Sequence, residues 1–259
     1  MTLSGRQPAH TLRDWLTEAP FTLGMSSGFF GFFAHCGMLS VLEAEGIVPA
    51  RLAGSSAGAL IAGLWAAGLD TPRIAARLLT LARADFWDPR PGLGLLRGGL
   101  FRAILEEVLP VKTFAACRRP LAVSAWDVLV NRVRVLDDGP LAPALHASCA
   151  VPLLFQPVWL GGRPHLDGGV VDRHGLAGVP PGVRLLYHHL ASRSPWRRKD
   201  SPAMRLPVRP DTVSLVIEGI TRLGPFKLAR GREAYTQARE ATRTALDRPI
   251  RDGAVRISL

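Results

Sequence analysis

The chain has 259 residues, 47% of them apolar, with three cysteines and a formal net charge of +11. That content suffices for one buried core, and the wide spacing of Cys36, Cys117 and Cys149 argues against a disulfide framework or a CxxC metal site. The longest apolar run, Ala57 to Leu69, is shorter than the roughly 20 residues of a membrane span, and MTLSGRQPAHTLRDW lacks a secretory pattern, so a cytoplasmic protein, at most peripheral to a membrane, is expected.

Phe21 to Met25 (FTLGM) reads as a buried strand entering the turn Ser26-Ser27-Gly28, and Phe32 to Glu45 as a helix stopped by Gly46. The unit then repeats. Ile47 to Ala53 is a short apolar strand, Gly54 to Ser56 a turn, and Ala57 to Ala67 a helix apolar nearly all round, as suits packing inside a layered fold. A helix over Thr71 to Ala84 follows, then a Pro- and Gly-rich loop, Asp85 to Gly99.

Leu121 to Val128 and Arg132 to Leu136 read as strands, Leu141 to Cys149 as a short helix, and Val158 to Leu166 as a hairpin around Gly161-Gly162. Arg184 to His189 is a further strand. Ser192 to Pro210 reads as a basic, proline-rich loop, and two amphipathic helices are expected after it, over Thr212 to Leu223 and Phe226 to Leu246. The organisation predicted is an N-terminal extension, 1–20, and one α/β domain, 21–259, with a core over 21–191 and a basic helical part over 192–259.

Charge is uneven along this chain. Residues 1–183 hold 16 Lys and Arg against 14 Asp and Glu, and residues 184–259 hold 16 against 7. Such a flank suits an anionic membrane surface or nucleic acid, or is a solvated arginine-rich face. No nucleic-acid-binding motif accompanies it, so no specific nucleic acid is expected as partner.

Gly54-Ser55-Ser56-Ala57-Gly58 fits G-x-S-x-G, in which a serine stands at a tight strand-to-helix turn and its hydroxyl clears the backbone. A serine attacks a carbonyl only if a base takes its proton and donors hold the oxyanion. A Ser-His-Asp set could draw on His174, His188 or His189 with Asp127, Asp137 or Asp167. Asp167 stands apart from these, because Gly168 and Gly169 follow it and leave room for its carboxylate to face a cleft.

In order, SSGFFGFFAHCGML (26–39), GSSAGAL (54–60), ASCAVPLLFQPV (147–158) and Asp167-Gly168-Gly169 resemble the landmarks of the patatin-like phospholipase family, lipid acyl hydrolases with a Ser-Asp dyad. The resemblance covers Phe21 to Val170. It implies a three-layer α/β/α sandwich with a mainly parallel central sheet, Ser56 as nucleophile and Asp167 as base, and oxyanion amides from Ser27, Gly28 and Phe29. Gly31, Gly54, Gly58, Gly168 and Gly169 would support the motifs. A lipid or other acyl ester would be the substrate, the basic C-terminal part could touch anionic membrane, and neither metal nor organic cofactor is implied. Where family members usually carry a glycine run and then an arginine, this chain has Ser26-Ser27-Gly28-Phe29-Phe30-Gly31. Phe29, Phe30, Phe32, Phe33 and Phe86-Trp87 either line an acyl pocket or pack in the core. Two rivals stay open at this point, a histidine-based esterase and a family member that binds without catalysis.

Overall fold

A computed structural model describes residues 10–191, 201 and 204–259. Its centre is a mixed sheet in which β11 (Ala254–Ser258), β10 (Thr212–Glu218), β9 (Leu185–Leu190), β1 (Thr22–Met25), β2 (Arg51–Ser55) and β4 (Leu121–Asp127) run parallel in that spatial order. The hairpin of β7 (Val158–Leu160) and β8 (Arg163–Asp167) and the single strand β5 (Arg132–Leu136) join β4 antiparallel. β3 (Gly94–Leu96) and β6 (Leu153–Phe155) make a separate two-stranded sheet.

Seven α-helices lie among the described residues: α1 (Leu12–Glu18), α2 (Phe32–Ala44), α3 (Ala57–Ala66), α4 (Thr71–Leu79), α5 (Gly99–Val108), α6 (Leu141–Cys149) and α7 (Gly231–Leu246). All seven contribute to one core cluster, which also takes Leu23, Met25, Leu52, Leu186 and Leu215 from the sheet. The alternate positions Ala53, Leu185 and Tyr187 face the other way, against Leu176 and Val179. The expected α/β class and mainly parallel sheet are what the chain adopts. On that second face the cover, among the described residues, is the segment around Leu176 and Val179 rather than a helical layer.

The first two strand-turn-helix units fall where the apolar runs place them, with shifts of a few residues. The strand expected over Ile47 to Ala53 is Arg51–Ser55, and the helix expected to Ala84 ends at Leu79. That helix starts with Asp70, whose carboxylate accepts from the Arg73 amide at 2.9 Å, a common N-cap arrangement.

One element is a correction. Thr212 to Leu223 is not an amphipathic helix; Thr212–Glu218 is β10, buried from Val213 to Ile217 between β9 and β11. Its β-branched residues suit a pleated surface, and backbone partners on both sides outweigh the weak helical spacing. The second expected helix is α7, and its Ala234, Ala238, Ala241 and Ala245 lie in the same core cluster as α2. α2 comes so close that a Cβ on Gly37 would overlap the Tyr235 carbonyl. Most of the basic loop expected over 192–210 falls outside the described residues.

Candidate active site

Two strands bring Ser56 and Asp167 together by sharing one edge of a third. β2 pairs with the first half of β4, Ser55 opposite Ser124, while β8 pairs with the second half, Asp167 opposite Ala125. β5 runs along Val123 to Asp127 on the opposite edge. The ends of β2 and β8 therefore meet head to head, one residue apart on β4. A serine just past one end and an aspartate at the other, 111 residues apart in sequence, become neighbours.

At Ser56 the backbone takes φ 53° and ψ −120°, a strained conformation for a non-glycine residue that turns the chain from β2 directly into α3. Gly54 and Gly58 make the turn possible. A Cβ on Gly54 would stand 2.6 Å from the Gly58 carbonyl carbon, and one on Gly58 would overlap the Met25 carbonyl of β1. Both positions are fixed by close approach of backbones.

The Ser56 hydroxyl donates to Asp167 Oδ2 at 2.6 Å, while Asp167 Oδ1 accepts from the Gly169 amide at 2.7 Å. Burial raises the Asp167 carboxyl to about 6, against the opposing effect of the Ser56 hydroxyl and the Gly169 amide. A carboxylate of that basicity is a better proton acceptor near neutrality than one in water. Gly168 lies flush on β4, where a Cβ would overlap the Ser124 carbonyl, so the Asp-Gly-Gly turn sits directly on the strand that registers it.

The segment Ala147 to Val158 supplies the remaining clamps. Ser148 Oγ donates to the Ser124 carbonyl at 2.7 Å and accepts the Ser56 amide at 3.0 Å, and the Asp167 amide donates to the Ala150 carbonyl at 2.8 Å. Cys149 Sγ lies 3.3 Å from the Ser56 carbonyl oxygen. Sequence reasoning picked out this segment but not Ser148, whose role depends on contacts with residues 24 and 92 positions away.

The turn after β1 is held on three sides. The Ser26 amide donates to the His188 carbonyl at 3.2 Å, Ser26 Oγ accepts from the Leu190 amide at 3.0 Å, and the Ser27 amide donates to the Arg173 carbonyl at 2.8 Å. The Ser27 N–H is thus taken. No hydrogen bond is formed by the Gly28 and Phe29 amides among the described residues, and both residues line the cavity described below. Phe30 follows at φ 55°, and the Gly31 amide closes the turn on the Gly28 carbonyl at 2.8 Å.

Beneath the turn lies a buried histidine pair. His35 Nε2 is 2.8 Å from the Ser26 carbonyl oxygen, and its Nδ1 is 2.8 Å from His188 Nδ1. A carbonyl only accepts, so Nε2 of His35 carries the proton, its Nδ1 accepts, and His188 Nδ1 donates. Burial lowers His35 to about 4 and His188 well below the ordinary histidine value, which keeps both rings neutral. The other two candidate histidines bond away from Ser56: His174 Nε2 to the Arg205 carbonyl and His189 Nδ1 to the Tyr187 hydroxyl. Asp127 pairs with Arg163 at 2.6 Å.

Ser56 and Asp167 open onto a mainly apolar cavity of about 350 Å³ walled by Phe30, Phe32, Leu60, Leu64, Phe86 and Phe155. Its size is that of a small-molecule site. Ser56, Leu60 and Leu64 follow one face of α3, and eight residues of helix advance about 12 Å. Of the aromatic residues expected at a pocket or in the core, Phe29, Phe30, Phe32 and Phe86 reach the cavity, and Phe33 is core. No cluster of three His, Cys, Asp or Glu side chains suited to a metal occurs among the described residues, nor a helix long and apolar enough to cross a membrane.

The family model for patatin-like phospholipases matches residues 23–179. The chain is 31% identical over 153 residues to an uncharacterized NTE family protein of Mycobacterium tuberculosis, a match spanning 58% of this chain and 42% of that relative. It is 28% identical over 181 residues to the uncharacterized protein YqhO of Bacillus subtilis, spanning 57% of this chain and 62% of that one. The chain thus spans less than two thirds of these relatives. Among solved structures, VipD from Legionella pneumophila has the same fold, with a TM-score of 0.60 at 15% identity over 95% of this chain and 72% of VipD.

Proposed function

Since the chain belongs to the patatin-like phospholipase family, we propose that it is a serine esterase that hydrolyses lipid acyl esters through an acyl-serine intermediate. The observation that carries this reading is the 2.6 Å hydrogen bond from Ser56 to a buried carboxylate, Asp167, in the wall of an apolar cavity.

Ser56 Oγ attacks the ester carbonyl carbon as its proton passes to Asp167 Oδ2. The oxyanion then faces the amides of Gly28 and Phe29, narrowed from the three residues expected because Ser27 spends its amide on Arg173. Collapse expels the alcohol, which takes the proton from Asp167. Water, deprotonated by the same carboxylate, attacks the acyl-serine, and collapse frees the acid as Asp167 returns the proton to Ser56 Oγ. The serines that replace the family's glycines do not remove the donors, since a serine has the same amide and Ser26 is held in place by β9.

The cavity supports an acyl chain lying along α3 from Ser56 toward Leu64. An extended hydrocarbon advances roughly 1.3 Å per carbon given bonds of about 1.5 Å, so about 12 Å holds nine or ten carbons. The test is hydrolysis of an ester chain-length series by the wild type and Ser56→Ala, beside fluorophosphonate labelling. Activity and labelling confined to the wild type are expected; equal rates in the two proteins would overturn the proposal.

A further inference from the structure

Beside the cavity, β3 and β6 form a small sheet, buried at one end and exposed at the other. Leu96 and Phe155 point inward and pack with Phe86. Leu93, just before β3, is 80% exposed, Leu95 on β3 50%, and Leu153 at the start of β6 71%. A solvated sheet face ordinarily carries polar residues at such positions. Here leucines occupy them, and Leu153 does so at φ 66°, a conformation leucine rarely adopts.

The tip is held in shape. The Arg90 amide donates to the Leu95 carbonyl at 3.0 Å and the Arg97 amide to the Asp88 carbonyl at 3.0 Å, while Gln156 Nε2 holds the Arg90 carbonyl at 3.1 Å. Its charge is one-sided. Arg90 and Arg97 are exposed beside the leucines. The neighbouring acids are turned to other work: Asp88 accepts from the Gly98 and Leu100 amides, and Asp85 accepts from the Ala82 amide and pairs with Arg77. Next to this rim, Arg83 stacks over Trp87 and the exposed Phe226.

The tip is also continuous with the cavity. Pro152 and Leu154, on either side of Leu153, line it, as does Phe86. A layer of lipid seated on the leucines would present its acyl esters at the wall that carries Ser56. Apolar side chains ringed by arginine are what an anionic bilayer surface takes up, the chains entering below the headgroups and the guanidinium groups pairing with phosphate.

We propose that Leu93, Leu95 and Leu153, with Arg90 and Arg97, form a docking surface for anionic lipid membrane. This rim, and not the exposed Arg232 and Arg243 of α7, makes the contact. The choice of lipid as partner rests on the esterase reading above.

The test uses the Ser56→Ala protein, which leaves vesicles intact, in co-sedimentation with vesicles of phosphatidylcholine alone or mixed equally with phosphatidylglycerol. Binding to the mixed vesicles, weakened by salt, is expected. Changing Leu93, Leu95 and Leu153 to Ser should lower it about tenfold or more, with hydrolysis of a short soluble ester by the same triple variant on the Ser56 background kept within about twofold. Arg232→Ala with Arg243→Ala on α7 should bind like the parent. Undiminished binding by the triple variant, an equal loss from the α7 pair, or a dimer that the triple variant dissolves would overturn the proposal. Vesicle binding needs no turnover, so it stands or falls separately from the esterase assay.

Discussion

Asp167→Asn should stabilise the protein while removing its activity. In the folded chain the carboxyl sits at about 6 against an ordinary aspartate value of 3.8, because burial disfavours its charge. Above about pH 6 the folded state holds a carboxylate that the unfolded chain would hold more cheaply. A difference of roughly two pH units at about 1.4 kcal/mol each amounts to about 3 kcal/mol at pH 7. The folded state binds the extra proton, so this cost is absent below about pH 3, grows as pH rises to about 6, and is constant above.

An asparagine escapes it. Its Oδ1 can accept from the Gly169 amide, and its Nδ2 can donate to the Ser56 hydroxyl, which leaves both neighbours partnered. Thermal unfolding should show Asp167→Asn ahead of the wild type at pH 8 by about 1–3 kcal/mol, or roughly 3–9 °C for a chain of this size, with the gap narrowing to about a third at pH 4.5. Ester hydrolysis should fall by roughly 10²–10⁴, the usual contribution of a general base. A variant no more stable than wild type at pH 8, or one whose advantage is the same at both pH values, would refute the reasoning.

The same carboxylate should give kcat/KM a rise with pH that has its midpoint near 6, since only the ionised form accepts the Ser56 proton; a flat profile from pH 5 to 8 would count against it as the base. His35→Phe should lower kcat about tenfold or more with KM little changed, because the Ser26 carbonyl loses its donor one peptide upstream of the Gly28 amide. His35→Gln, which can still donate there, should recover most of that loss, and equal losses in Phe and Gln would reduce His35 to packing. Leu64→Trp should shift the preferred acyl chain toward shorter esters, visible as a fall in kcat/KM for decanoate relative to butyrate. An unchanged ratio would show that the chain does not run along α3.

Much of this site can be read along the chain because its chemistry is local. A strand, two glycines around Ser56 and an apolar helix are contiguous, and the elbow they form is a matter of backbone clearance at Gly54 and Gly58. Asp167 is marked in the same way by the two glycines that follow it. The turn at Ser26 to Gly31 is equally local, but which of its amides is free is not, since Arg173, 146 residues later, takes the one at Ser27.

β10 shows why local pattern fails. Val213, Leu215 and Ile217 face the helices with a period of two, yet Ile220 and Leu223 continue an approximately helical spacing, and only pairing with β9 and β11 decides between the two. The edge strand β11 completes a sheet whose other members lie far away in sequence.

The sequence by itself determined the α/β class and the tight turn at Ser56, because each is written in neighbouring residues whose sterics act at short range, and it marked Asp167 by the two glycines after it while leaving a histidine-based set open. Only the tertiary structure decided that Ser55 and Asp167 would stand opposite adjacent residues of β4, that Ser148 would hold the Ser56 amide, and that burial would raise Asp167 to about 6. Strand register and desolvation are properties of the assembled sheet and its cover, and no stretch of the chain carries them alone.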